Sequence, residues 1–162
     1  MAFADTIAAI NSLRTEGLIR DYAITGAVAQ AFWDEAIPTF DLDVLVLLGP
    51  VENRLAPLSA IYEWAREREY VADKEHIVIA GVPVQFLPAP DALSEEAIQA
   101  ASDREIGGVP LRVVRPEYLI ALWLQPPANT HRRKERAAKL RECGQVDEAH
   151  LGELMTRYGL SW

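Results

Sequence analysis

Two aspartates one residue apart, Asp41 and Asp43, open the apolar run Val44-Leu45-Val46-Leu47-Leu48. On an extended strand side chains alternate faces, so both carboxylates point the same way, roughly 7 Å apart along the chain. Such a pair can hold a hard cation such as Mg²⁺ (or Mn²⁺), an ion that takes oxygen ligands and shares them with substrate phosphates. The plain alternative is a carboxylate capping a turn at a strand start. Against it stands the cost of a charge at the mouth of a buried strand unless that charge is solvated, paired or metal-bound. Upstream, Thr25-Gly26-Ala27-Val28 reads as a strand-to-helix corner. Its backbone N–H groups could meet a phosphate, or Gly26 could simply permit a tight corner. Together these segments point to nucleotide chemistry.

The elements that must position these residues follow from the apolar periodicity. Residues 2–17 carry helical spacing (Phe3, Ile7, Ile10, Leu13) and stop near Gly17. Tyr22 to Thr25 reads as a strand, Gly26 to Ala36 as a helix ended by Pro38, and Asp41 to Leu48 as a strand buried on both sides beyond the aspartates. Leu58 to Tyr70 reads as a helix. His76 to Ala80 and Val82 to Leu87 form a hairpin around Gly81. Ala92 to Ala101 is helical, Leu111 to Val114 a short strand, and Pro116 starts a helix through Leu124. Gln125 to Asn129 breaks the chain. A basic helix follows, then a last helix from about Asp147 to Tyr158-Gly159. This order predicts an α/β (α+β) architecture: a mixed sheet covered by helices in residues 1–125, with a helical C-terminal part, 126–162, packed on it.

The 162 residues suffice for one domain with a real core, and half of them are hydrophobic. The single Cys143 excludes an internal disulfide and fits a reducing compartment. The start, Met-Ala-Phe-Ala-Asp, carries no leader pattern, and no run reaches a membrane span, so the expected location is cytoplasmic. A net charge of −8 argues against whole-surface attraction to nucleic acid. Residues 131–143 are nonetheless locally basic, with Arg132, Arg133, Lys134, Arg136, Lys139 and Arg141. Either these form a solvated helical face, or Arg133 and Lys134 reach phosphate. His76, His131 and His150 lack paired metal-ligand spacing and read as surface or packing residues. Trp33, Trp64 and Trp123 read as core.

The pattern Ile24-Thr25-Gly26-Ala27, a helix, then Thr39-Phe40-Asp41-Leu42-Asp43 resembles the nucleotidyltransferase fold shared by DNA polymerase β, aminoglycoside nucleotidyltransferases and small prokaryotic toxin and antitoxin proteins. Within that superfamily Arg115-Pro116-Glu117-Tyr118-Leu119, Arg133-Lys134-Glu135-Arg136 and Arg157-Tyr158-Gly159-Leu160 resemble the AbiEii-type, toxin-associated group. The resemblance implies a nucleotidyltransferase-like mixed sheet and metal-dependent transfer of an NMP unit from an NTP to a hydroxyl acceptor. Asp41 and Asp43 would bind metal, with Gly26, Ala27, Arg133 and Lys134 on the nucleotide. It implies a nucleotide partner, an RNA, protein or small-molecule acceptor, a toxin or antitoxin partner, and no membrane. Three departures stand out. Ala27 replaces the usual Gly or Ser, no arginine precedes the Asp-x-Asp, and the third acid's expected position is Gln85. Glutamine offers a carbonyl oxygen but cannot be a general base, and two cations need more negative charge than two aspartates supply. Glu75 and Asp91 flank the hairpin as candidate substitutes. The alternative function is therefore a catalytically weakened binding or regulatory module.

Overall fold

A computed structural model describes residues 2–35, 41–50 and 55–162. The expected Pro38 stop and the Thr39-Phe40 lead-in lie outside the described residues. The elements run α1 (Ala2–Thr15), β1 (Asp21–Thr25), α2 (Gly26–Ala31), β2 (Leu42–Leu47), α3 (Ser59–Glu67), β3 (Val71–Asp73), β4 (His76–Ile79), β5 (Val82–Pro88), α4 (Ala92–Gln99), β6 (Ser102–Ile106), β7 (Val109–Val113), α5 (Pro116–Leu124), α6 (His131–Arg141) and α7 (Glu148–Tyr158). The strands form one mixed sheet in the order β3-β4-β5-β2-β1-β7-β6. β2 lies at its centre, antiparallel to β1 and parallel to β5.

The centre of the sheet is the core. Leu42, Val44 and Val46 are fully buried and Leu45 nearly so, as a run apolar on both faces requires. α5 carries Tyr118, Leu119, Ile120, Ala121, Trp123 and Leu124, all buried. It packs against α4, α6, α7 and α2 and so ties the last helices to the rest. Glu96 of α4 reinforces this, accepting hydrogen bonds from Tyr118 Oη at 2.6 Å and Tyr158 Oη at 2.8 Å and pairing with Arg157.

Three elements differ from expectation. α2 ends at Ala31 instead of Ala36. Beyond it the Trp33 indole Nε1 donates to the Val114 carbonyl at 2.9 Å, and Gln145 Nε2 donates to the Trp33 carbonyl at 2.8 Å, which holds the chain in a turn. β3 was not foreseen: all three residues are exposed, so it pairs by backbone alone at one edge of the sheet. β6 was also missed, because Ser-Asp-Arg-Glu-Ile lacks alternating apolar residues. Charged residues on edge strands discourage pairing with a second chain.

Candidate functional site

β1 ends at Thr25, which pairs with Asp43 across the antiparallel ladder. The chain then turns at Gly26, whose φ of +68° lies in the left-handed region. A Cβ built on Gly26 would stand 2.4 Å from Asp43 Oδ2. The Asp43 carboxylate therefore lies against the Gly26 backbone, and glycine is demanded twice, by the dihedral and by the approach. Ala27 is half-exposed in the first turn of α2 and brings no side-chain donor.

Parallel pairing of β2 with β5 sets Gln85 directly beside Asp43. The β4–β5 register pairs Ile77 with Val84; carried one step further it brings His76 opposite Gln85. Thr25, Asp43, Gln85 and His76 thus form one row across four strands, and residues in one row share a face. Asp41, two residues before Asp43, stands just ahead of β2, with a side chain 53% exposed and Oδ2 3.6 Å from His76 Nε2. Glu75 Oε1 lies 3.6 Å from His76 Nδ1.

Asp43 holds its proton above the usual carboxylate range, first because burial desolvates it and second because Asp41 repels it. The positive charges opposing this belong to His76, Arg136 and Arg133, in that order. The two arginines come from α6. Thr130 Oγ1 caps that helix by accepting from the Arg133 N–H at 3.3 Å. Arg133 and Arg136 are three residues apart and share a helical face. Arg136 packs its guanidinium 4.6 Å over the Trp123 ring and donates from Nη2 to Gln30 Oε1 at 3.0 Å. Lys134 is half-buried at the next position around the helix from Arg133.

The fold therefore gathers Gly26, Ala27, Asp41, Asp43 and Gln85 at the carboxyl end of β1, with Arg133 acting on Asp43. It does not gather Asp91. That side chain caps α4, with Oδ1 accepting from Ser94 N at 2.9 Å and Oδ2 from Gln125 Nε2 at 2.9 Å. Among the described residues no set of three or more His, Cys, Asp and Glu side chains is grouped as metal ligands. Two residues of the site escaped the sequence reading. His76 carried a signal in its place opposite Gln85 across the Gly81 hairpin. Arg136 carried one in its i,i+3 spacing from Arg133.

The donor set can hold one hard divalent ion. Asp41 and Asp43 offer carboxylate oxygens, and the repulsion that raises Asp43's proton affinity is relieved by a cation. Mg²⁺ commonly takes one or two carboxylates and fills its other positions with water and phosphate. Gln85 is neutral and adds no charge for a second ion.

No protein-family model matches the sequence, and no curated protein matches it. Solved structures do. The solution structure of the antibiotic-resistance factor ANT(2'')-Ia aligns over 97% of this chain and 91% of its own, with a TM-score of 0.52 and 18% identity. ANT(2'')-Ia in complex with adenylyl-2''-tobramycin aligns over 98% of both chains, with a TM-score of 0.53 and 19% identity. An antigenic nucleotidyltransferase-like protein from Paracoccidioides brasiliensis aligns over 96% of this chain and 85% of its own, with a TM-score of 0.55 and 14% identity. The chain has the nucleotidyltransferase fold. At these identities the likeness extends to the fold alone.

Proposed function

We propose that the protein is a metal-dependent nucleotidyltransferase that moves an NMP unit from an NTP to a hydroxyl acceptor. The observation that carries this reading is the Asp43 carboxylate pressed against Gly26, in the field of the Asp41 charge and of the positive charges of Arg136 and Arg133. In the reaction the acceptor hydroxyl gives its proton to water, its oxygen bonds to the α-phosphorus, the bond from that phosphorus to the β-phosphate oxygen breaks, and pyrophosphate leaves with the electron pair. Arg133 and Arg136 neutralise charge on the departing phosphates. Gly26 leaves room for the Asp43 carboxylate against the backbone, and the N–H groups that follow it would face the nucleotide phosphates. Mg²⁺ or Mn²⁺ held by Asp41 and Asp43 would supply Lewis-acid stabilisation of phosphoryl charge. The adenylylated aminoglycoside bound to one structural neighbour supports a small-molecule hydroxyl as acceptor.

Gln85 favours a second reading. It occupies the position beside Asp43 and cannot accept the acceptor's proton, so the same scaffold could bind nucleotide without turning it over. The Pro116–Leu119 and Arg133–Arg136 segments support AbiEii-type membership and a toxin or antitoxin partner for such a module. One experiment separates the readings. Transfer from labelled NTPs is followed with Mg²⁺ or Mn²⁺ over a panel of hydroxyl acceptors, for the wild type and Gln85→Asp. Transfer by the wild type supports the enzyme. NTP binding without transfer, with transfer gained by Gln85→Asp, supports the weakened module. Neither binding nor transfer in either protein overturns both.

A further inference from the structure

Gln30 is a polar residue buried where the core would accept an apolar one. It sits on α2 at 0% exposure. Its Oε1 accepts from both Nε and Nη2 of Arg136, at 3.3 and 3.0 Å. Its Nε2 is buried and has no hydrogen-bond partner among the described residues. A buried amide with an unsatisfied donor is destabilising, and such exceptions mark positions held for something other than stability.

What Gln30 does hold is the plane of a guanidinium. Arg136 arrives from α6, 106 residues later in the chain. One face of the group lies against Trp123, 4.6 Å from the ring centroid. The Nε–Nη2 side is taken by the Gln30 carbonyl oxygen. Arginine carries five N–H donors in a rigid fork, and with Nε and Nη2 bonded to Gln30, Nη1 and the end-on edge have no hydrogen-bond partner among the described residues. That edge can make a bidentate grip on paired oxygens. The group is half-buried, crowded by Arg132 and Arg133, and in the field of the Asp43 carboxylate.

We infer that Arg136 grips the nucleotide's phosphates through this end-on edge, and that Gln30 is a positioning residue that sets the guanidinium for the contact. The inference rests on the nucleotide reading above. It assigns the grip to a fixed arginine instead of a mobile surface cation. Lys134 has no fork, and Arg133 is exposed.

The test is MgATP and adenosine binding by calorimetry for the wild type, Arg136→Gln, Arg136→Lys, Gln30→Met and the double variant Gln30→Met/Arg136→Gln. Far-UV circular dichroism and melting serve as folding controls. Arg136→Gln should weaken MgATP by about 10- to 100-fold, the size of a lost charge-assisted contact. Adenosine binding should stay within about twofold. Arg136→Lys should recover only part of the loss. Gln30→Met should weaken MgATP by about 3- to 10-fold in the wild type and have no further effect in the Arg136→Gln background, because it acts through that arginine. Additive losses in the double variant overturn the positioning role. An unchanged MgATP affinity in Arg136→Gln, with wild-type binding intact, overturns the phosphate grip alone. A wild type that binds no NTP overturns the nucleotide reading itself. Should the variants fail to fold, ¹⁵N-arginine NMR on the wild type decides. The Arg136 side-chain resonance should shift with MgATP and pyrophosphate and stay put with adenosine; the absence of any shift overturns the grip.

Discussion

Gly26→Ala tests the geometry of the site directly. Two costs add. An alanine held at φ near +68° sits in the left-handed region, which costs about 1–2 kcal/mol. Its Cβ would also meet Asp43 Oδ2 at 2.4 Å, so the carboxylate must leave its rotamer, for about 0.5–1.5 kcal/mol. Alanine gives back about 0.4–1 kcal/mol by narrowing the unfolded ensemble. The net destabilisation should be about 0.5–3 kcal/mol. Gly17 supplies the internal control, since its φ is +79° and a Cβ there meets nothing within 4 Å. Gly17→Ala should therefore show the dihedral cost without the collision. Urea titration of both variants, with the slope checked for constancy, gives the difference. Asp43→Ala should rescue part of the Gly26→Ala loss by removing Oδ2, though its own Cβ remains 3.3 Å from the new methyl. If Gly26→Ala costs no more than Gly17→Ala, or if Asp43→Ala gives no rescue, the close approach argued for Asp43 is wrong.

Asp43 itself should trade stability for chemistry. Its folded-state pKa is raised, so the native chain binds a proton more readily than the unfolded one, and stability falls as pH rises through that window above 3.8. The penalty persists at neutral pH, so Asp43→Asn should be the more stable protein at pH 7 in EDTA, by about 0.5–2 kcal/mol, with the advantage fading in acid; a less stable variant contradicts this. Addition of Mg²⁺ should raise the melting temperature of the wild type and leave that of Asp43→Asn unmoved in differential scanning calorimetry. Glu96 runs the other way. Burial raises its pKa, but hydrogen bonds from Tyr118, Tyr158 and Arg157 outweigh that and leave it below 4.5, so its contribution is present above that pH and lost as pH falls through the lowered value. Glu96→Gln should lose about 1–2 kcal/mol at pH 7 and progressively less as pH falls below 4.5, and hydrogen exchange should show the loss first in α7. Asp91→Ala should cost about 1 kcal/mol through the lost cap on α4 while NTP binding is unchanged, a result that calorimetry and urea titration check together.

The carboxylate half of the site was legible because its chemistry is written locally. Asp41 and Asp43 differ by one strand period and lead into a run apolar on both faces, and the Gly81 hairpin delivers Gln85 to its place by counting residues. The central strands and the long helices were readable for the same reason. The edges were not. β3 and β6 exist through backbone pairing to β4 and β7, and neither has a buried face to print a pattern. The end of α2 was missed because Trp33 is anchored by the carbonyl of Val114, eighty-one positions away. The cationic half was legible only as a charge-rich helix. Which of its arginines turns inward depends on Gln30 and Trp123, contacts that no local periodicity encodes.

The separation between the two halves has a consequence for synthesis. Asp43 leaves the ribosome about ninety residues ahead of Arg136, an interval of roughly 5–20 s at ordinary elongation rates. During that time β5 and β7 are also made, so β2 can gain both of its neighbouring strands before the guanidinium that later balances Asp43 arrives. The nascent chain is thus electrostatically incomplete until α6 docks, and the charge balance around Asp43 is completed last, when Arg136 reaches Gln30.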